Sequence, residues 1–245
     1  MKAPAADQKK LLDLQGADTR IAQLEHSLRT LPQEARLAEL QRDSAAARSE
    51  FAAVNGELDD AQAEITRVEA DIATVAAREK RDHERLQAST STKDIQGLEH
   101  ELESLRTRRS HLEDTELEVM ERVEEIELRL AAITARRDDI ATEERLLAAA
   151  RDEQRERIGK QLAAARTDRE TVAGGIESAE LVALYEKQRA RYGIGAALLQ
   201  RGVSLGSNVA LTESDLAVIR AAASDDVVLD PDSSCILVRT EESGL

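Results

Sequence analysis

The side chains able to do chemistry are few and scattered. Four histidines, His26, His83, His100 and His111, precede a long stretch that has none. His83 and His100 fall near one level on either side of a predicted turn, but two imidazoles fall short of the ligand number metals take, so both read as solvated. Asp225, Asp226, Asp230 and Asp232 crowd together near the carboxyl end. Their spacing does not match a calcium loop, which needs ligands at positions 1, 3, 5 and 12, and the expectation is a solvated acidic loop. From Lys187 to Thr212 the chain carries Lys187, Arg189, Arg191 and Arg201 and no acidic residue. Such a stretch suits phosphates, although Tyr185 and Tyr192 alone give little for base stacking. The competing reading is that these cations complement a helix end and nearby acids. No nucleophile has a base close in the pattern and no glycine-rich loop could cradle a phosphate, so the sequence predicts no enzyme.

The elements that position these residues are organised around one short stretch, Ala88-Ser89-Thr90-Ser91-Thr92-Lys93-Asp94. It has no large apolar residue, and its hydroxyls and carboxylate compete with helix propagation. On either side the pattern is helical for ~80 residues. A turn at the midpoint makes an antiparallel hairpin in which residue i faces about residue 181 − i. The incoming seam is Leu37, Leu40, Ala47, Phe51, Val54, Leu58, Ala61, Ile65, Val68, Ile72 and Val75, alternating steps of three and four. Ser44 interrupts it, and Glu79 and Asp82 take the last seam positions, which predicts a loosely packed tip. The returning seam runs from Ile95 to Leu147 with Arg109, Glu116, Arg137 and Glu144 as polar interruptions. The register sets Arg137 opposite Ser44. Asp7 is the expected N-cap of a first helix ending at Leu31 before Pro32, and the last third of the returning helix is expected to pack on that first helix.

Composition agrees. The chain has 245 residues, 34% of them charged, one Phe, two Tyr and no Trp, the profile of a long-helix protein whose apolar residues form a seam. A net charge of −15 disfavours a general role on DNA or an anionic membrane. A lone Cys235, the lack of any apolar run near ~18 residues and an amino terminus unlike a signal peptide lead to the expectation of a soluble cytoplasmic protein.

Ala173-Gly174-Gly175 ends the helical rod. A further helix is expected within 176–192, with Ser178 as its cap. A short helix from Glu213 to Ala223, capped by Thr212, then sits among brief apolar alternations. The expected layout is a hairpin over 1–175, a short helix and basic junction over 176–202, and a small β-containing domain over 203–245. Its core candidates are Val203, Leu205, Val209, Leu211, Leu216, Ile219, Val227, Val228, Leu229, Ile236 and Val238, packed on one another and on the helix carrying Leu181 and Tyr185.

Several segments carry a resemblance to a known family. They are Leu-Val-Ala-Leu-Tyr-Glu-Lys-Gln-Arg at 181–189, Gly-Ala-Ala-Leu-Leu at 195–199, Asp-Leu-Ala-Val-Ile-Arg at 215–220, Asp-Asp-Val-Val at 225–228 and Ile-Leu-Val-Arg at 236–239. Leu-Leu-Asp-Leu-Gln at 11–15 and the segment 18–24 also fit. The chain resembles a bacterial family, closest to its actinobacterial branch, that joins a coiled-coil hairpin to a carboxyl-terminal four-cysteine zinc ribbon. The resemblance implies a mainly α fold, a long antiparallel coiled-coil hairpin followed by a small zinc-ribbon-like β domain. It places the family's two Cys-x-x-Cys knuckles on Ser204-Leu205-Gly206-Ser207 and Asp230-Pro231-Asp232-Ser233, and none of the four ligand positions holds cysteine. The expectation is therefore a degenerate ribbon without zinc or any other cofactor.

Members of that family have been linked to secretion, flagellar regulation and partner-protein binding. The resemblance and the long rod together imply a non-catalytic adaptor or chaperone-like scaffold that binds other proteins. The alternative is a nucleic-acid-binding regulator acting through the ribbon-like domain and the basic residues Lys187, Arg189, Arg191 and Arg201.

Overall fold

The computed structural model describes residues 1–245. Its helices are α1 (Ala5–Arg29), α2 (Gln33–Ala88), α3 (Thr92–Gly174), α4 (Ala179–Tyr192) and α5 (Glu213–Ala221). Five short strands follow α4: β1 (Ala196–Gln200), β2 (Val203–Ser204), β3 (Val209–Ala210), β4 (Val228–Leu229) and β5 (Ile236–Val238). The chain divides into one compact unit of Gln33–Ala149 and another of Met1–Pro32 with Ala150–Leu245.

In the first unit α2 and the first part of α3 run antiparallel about a turn at 89–91, inside the stretch the sequence marks. The seam forms because apolar residues at steps of three and four share a helix face. Val54, Ala61, Val119, Ile126 and Ile133 are buried together, with Phe51, Leu58, Ile65, Val123 and Leu130 half-buried against them. These are the residues that 181 − i sets opposite one another, and α2 passes through Asn55 and Gly56 without interruption. Glu50, Glu57 and Glu64, one heptad apart, pair across to Arg136, Arg129 and Arg122, and Arg36 and Arg78 reach Glu143 and Glu101. Charges along one flank thus fix the register that the apolar seam stabilises.

The polar seam positions have their own partners. Arg137 places its guanidinium 4.7 Å from the centroid of the Phe51 ring, and Ser44 Oγ accepts a bond from Arg48. A flat cation over an aromatic face keeps its stem in the seam while its charge stays hydrated. Near the tip, Glu79 is bridged by Arg109 at 3.4 Å, and Asp82 is only 6% exposed with Arg85 at 3.4 Å and Arg78 at 3.9 Å. Ion pairs gather around a buried carboxylate at the tip.

In the second unit Ile21, Leu24, Leu162 and Ala165 join α1 to the end of α3, as the seam predicts. A second cluster gathers Leu11, Leu14, Ile176, Leu181, Tyr185, Ala196, Ile236 and Val238. The strands form one sheet in the order β3-β2-β1-β5-β4, with β1 and β5 parallel and the other pairs antiparallel. Residues 1–3 add to this sheet beside 225–227 through backbone bonds.

Several expectations are corrected here. α1 starts at Ala5, and Asp7 is not its cap. The sheet's central strand, β1, falls inside the stretch expected to be a junction, so no boundary lies at 202–203. Leu205, Val209 and Leu229 are exposed, whereas Leu199 and Leu237 fill the core with Leu211, Leu216 and Ile219.

Cysteines substituted at Leu58 and Val123 are expected to form a disulfide within one chain. Mixing labelled and unlabelled protein before oxidation checks this: mass spectrometry should find no hybrid cross-link.

Candidate functional site

A few of the residues singled out by type, Tyr185, Arg189 and Asp230, fall at two polar centres in the second unit. The first lies where α1, α3, α4 and β1 meet. α1 aligns Asp7, Gln15 and Asp18 toward its neighbours, and each is used differently. Asp7 Oδ2 accepts the Glu177 and Ser178 backbone N–H groups, both at 3.1 Å, and so satisfies donors at the entrance to α4. Ser178 caps that helix by accepting from the Leu181 N–H, as its sequence position predicts. Gln15 Oε1 accepts the Gly195 N–H at 2.8 Å and holds the start of β1. Gly195 is required there, because a Cβ would lie 2.4 Å from the Tyr185 ring.

Asp18 is 2% exposed and gathers three donors. Arg169 Nε lies at 2.6 Å, Arg189 Nη2 at 3.0 Å and the Tyr185 hydroxyl at 2.7 Å, while Glu186 pairs with both arginines. Burial, then the bond to the Asp18 carboxylate, push the Tyr185 phenol far up from its ordinary range. The bond to Asp18 likewise raises the Arg169 guanidinium further.

This placement divides the basic stretch. Arg189 is committed to Asp18 and Glu186. Arg191 is exposed and stacks on Tyr192 at 5.2 Å from the ring centroid. Lys187 and Arg201 are exposed, and Arg201 turns the chain between β1 and β2 with a φ of 47°. The structure therefore leaves three of the four cations facing solvent. Arg169 and Asp18, which complete the network, carry no signal in the local sequence beyond a helical charge pattern.

The second place is formed by the turns 204–207 and 230–233. Asp230, expected in a solvated loop, is 1% exposed, and Ser204 and Cys235 are fully buried. Asp230 Oδ2 accepts the hydroxyls of Ser204 and Ser233, each at 2.6 Å, and Oδ1 accepts the Asp232 N–H at 3.1 Å. The other acids do separate work: Asp225 pairs with Lys2 and Asp226 accepts the Ala223 N–H.

His83 and His100 are exposed, and no group of three or more His, Cys, Asp or Glu side chains is placed to hold a metal. Zinc, which the resemblance implies, does not fit the second site. Zinc takes thiolates and imidazoles, and the four ligand positions hold three hydroxyls and one carboxylate, of which Ser204 and Ser233 are already bonded to Asp230. At the hairpin tip a groove of about 550 Å³ is lined by Arg78, Asp82, Arg85, Lys93, Asp94 and Glu101, whose mixed charge favours neither sign of ligand.

A long antiparallel helical hairpin combined with a small mixed sheet defines a class of coiled-coil hairpin proteins. The chain belongs to the CT398-like coiled coil hairpin domain family, whose model matches residues 14–193. Rv2229c, an uncharacterized protein of Mycobacterium tuberculosis, is 34% identical over 246 residues, covering 98% of both chains. A solved structure from Mycobacterium smegmatis superposes with a TM-score of 0.84 at 34% identity, over 98% of this chain and 100% of that one. CT398 from Chlamydia trachomatis shares the fold, with a TM-score of 0.65 at 17% identity over 95% and 97% of the two chains. No helix is long and apolar enough to cross a membrane.

Replacing Asp18 by Asn removes the buried charge that Arg169 and Arg189 share and leaves them with Glu186 alone, and the expected loss of stability is about 3 kcal/mol. Tyr185→Phe, which keeps the ring and removes one bond to a charged acceptor, is expected to cost about 1.5 kcal/mol. Urea unfolding followed by far-ultraviolet circular dichroism checks both values and their order.

Proposed function

We propose that this protein is a non-catalytic, cytoplasmic coiled-coil scaffold or adaptor that binds other proteins and needs no cofactor. The observation that carries the reading is the outer face of α3. Leu117, Met120, Leu128 and Leu146 are 59%, 46%, 73% and 64% exposed, while α2 exposes no large aliphatic side chain. Leu117 and Leu128 are separated by about three helical turns and share a face. Apolar side chains recurring on a face that hairpin stability leaves to charged residues suit a protein partner. The polar groups capable of chemistry are engaged with one another in the two sites above, which supports a binding role over catalysis. Full-length similarity to mycobacterial proteins supports a place in an actinobacterial branch.

Affinity capture from the native lysate tests the reading. Protein partners should survive nuclease treatment and be lost with Leu117→Glu/Leu128→Glu, a pair of exposed substitutions expected to change stability by about 0.5 kcal/mol or less each. Capture that is unchanged by both substitutions would overturn the assignment to this face.

The nucleic-acid reading rests on Lys187, Arg191 and Arg201, the cations left facing solvent. Engagement of Arg189 and the net charge of −15 weigh against it. Any binding is expected to be weak, with log affinity falling against log salt at a slope of at most about 3. A salt titration by fluorescence anisotropy measures that slope, and tight binding that persists after substitution of all three cations would reverse the ranking.

A further inference from the structure

We propose that Asp230 holds together the two turns that a metal ties in a four-cysteine ribbon, so that this sheet is locked by a carboxylate and two hydroxyls and takes no metal. Each turn is followed by a non-glycine residue in the left-handed region, Asn208 with φ 56° and Ser234 with φ 59°, and one hydroxyl from each turn reaches a common point. At that point stands the Asp230 carboxylate. Ser204 reaches it from the first turn and Ser233 from its own turn, both at 2.6 Å and both to Oδ2. The bond from Ser204 is the cross-tie; those from Ser233 and the Asp232 N–H fix the carboxylate within its turn.

The surroundings are as tightly organised. Ser204 Oγ accepts the Gly206 N–H at 3.2 Å, which closes the first turn on the same hydroxyl. Asp230 N–H donates to the Cys235 carbonyl and the Asp230 carbonyl accepts from Ser234, both at 2.9 Å, which closes the second. Cys235 is fully buried and its sulfur fills the space beside Gly206, where a Cβ would lie 2.5 Å from Sγ. The turns therefore touch with no gap of atomic size along that line. Burial alone pushes the Asp230 carboxyl up, but the bonds from Ser204 and Ser233 and the Asp232 N–H, with a lesser part from Ser207, outweigh it and hold the group below its ordinary range. A buried carboxylate with its oxygens taken by short hydroxyl bonds is satisfied without a cation.

Ser207 supplies an internal control. It occupies the second ligand position of the resembled ribbon and is half-buried, and its buried hydroxyl has no partner of good geometry. It adds at most a weak interaction with Asp230, whereas Ser204 and Ser233 make short bonds to that carboxylate.

The full chain, expressed with zinc supplied and purified without chelator, tests the proposal by elemental analysis and limited proteolysis. Zinc should be far below one per chain, and chelator should leave the cleavage rate within 196–245 unchanged. Asp230→Ala strands two buried hydroxyls and should accelerate that cleavage about tenfold. Ser207→Ala should leave the rate within about twofold of the parent. If Asp230→Ala is insoluble, Ser204→Ala/Ser233→Ala decides in its place and should show the same direction of change. Stoichiometric zinc, chelator-sensitive cleavage, or equal rates for the lock variants and Ser207→Ala would each overturn it.

Discussion

The unit formed by 1–32 and 150–245 depends on the burial of one charge. Asp18 has lost almost all its hydration, and such a loss is tolerated only when fixed donors replace water. The replacements come from three positions distant in sequence: Arg169 on α3, and Tyr185 and Arg189 on α4. Their agreement fixes the turn of α1 relative to both helices, because a small rotation would strand the carboxylate. Gln15, about one turn earlier on α1, carries the same constraint to the start of β1 through the Gly195 N–H. Apolar packing of Leu11, Leu14, Leu181 and Tyr185 provides much of the attraction, and the polar contacts choose one arrangement from the many that such side chains would allow.

The hairpin of 33–149 solves a different problem with the same means. A long apolar seam stabilises antiparallel pairing but permits a slip by a heptad at modest cost. Glu50, Glu57 and Glu64 facing Arg136, Arg129 and Arg122 gain little stability individually at exposed positions. Because they repeat every seven residues, a slip by one heptad would re-form two of the three, and the mark against it is the reversed pair Arg36 and Glu143: a slip would bring Arg36 to Arg136 or Glu143 to Glu50. Arg137 on Phe51 and Arg109 on Glu79 add register marks inside the seam itself.

What was legible in the sequence follows the range of each signal. Helix periodicity and the hydroxyl-rich turn are local and repeated over many residues, so α2, α3 and their turn were read nearly as they stand. Ser178 and Thr212 cap the helices expected of them because a cap needs only its next three residues. Asp7 shows the limit of the same rule. Its position suits a cap, but its carboxylate is drawn to N–H groups 170 residues away. β1 was missed as a strand because Ala-Ala-Leu-Leu has no β-branched residue; its pairing with β5 decides its conformation. Asp230 was misread for a related reason. Four aspartates in eight positions look like a solvated loop, and only the approach of Ser204 from another turn reveals a buried acceptor.

Asp18 and Asp230 show how polar residues can be numerous and still offer little for chemistry. Each sits where chain segments converge, and each is surrounded by donors from the chain itself, which removes the free lone pairs or vacant position that a substrate or cation would need. An engaged Arg189 is similarly a poor phosphate ligand, since binding would require it to leave a buried carboxylate unpaired. In the proposed binding role, recognition falls to groups that folding does not use. On α3 these are aliphatic side chains on the face turned from the seam, and aliphatic surface gains free energy on losing water to a partner's apolar side chains, whereas a hydrated polyanion offers it little. In that role, the aliphatic character of this surface favours a protein over a polyanion as its occupant.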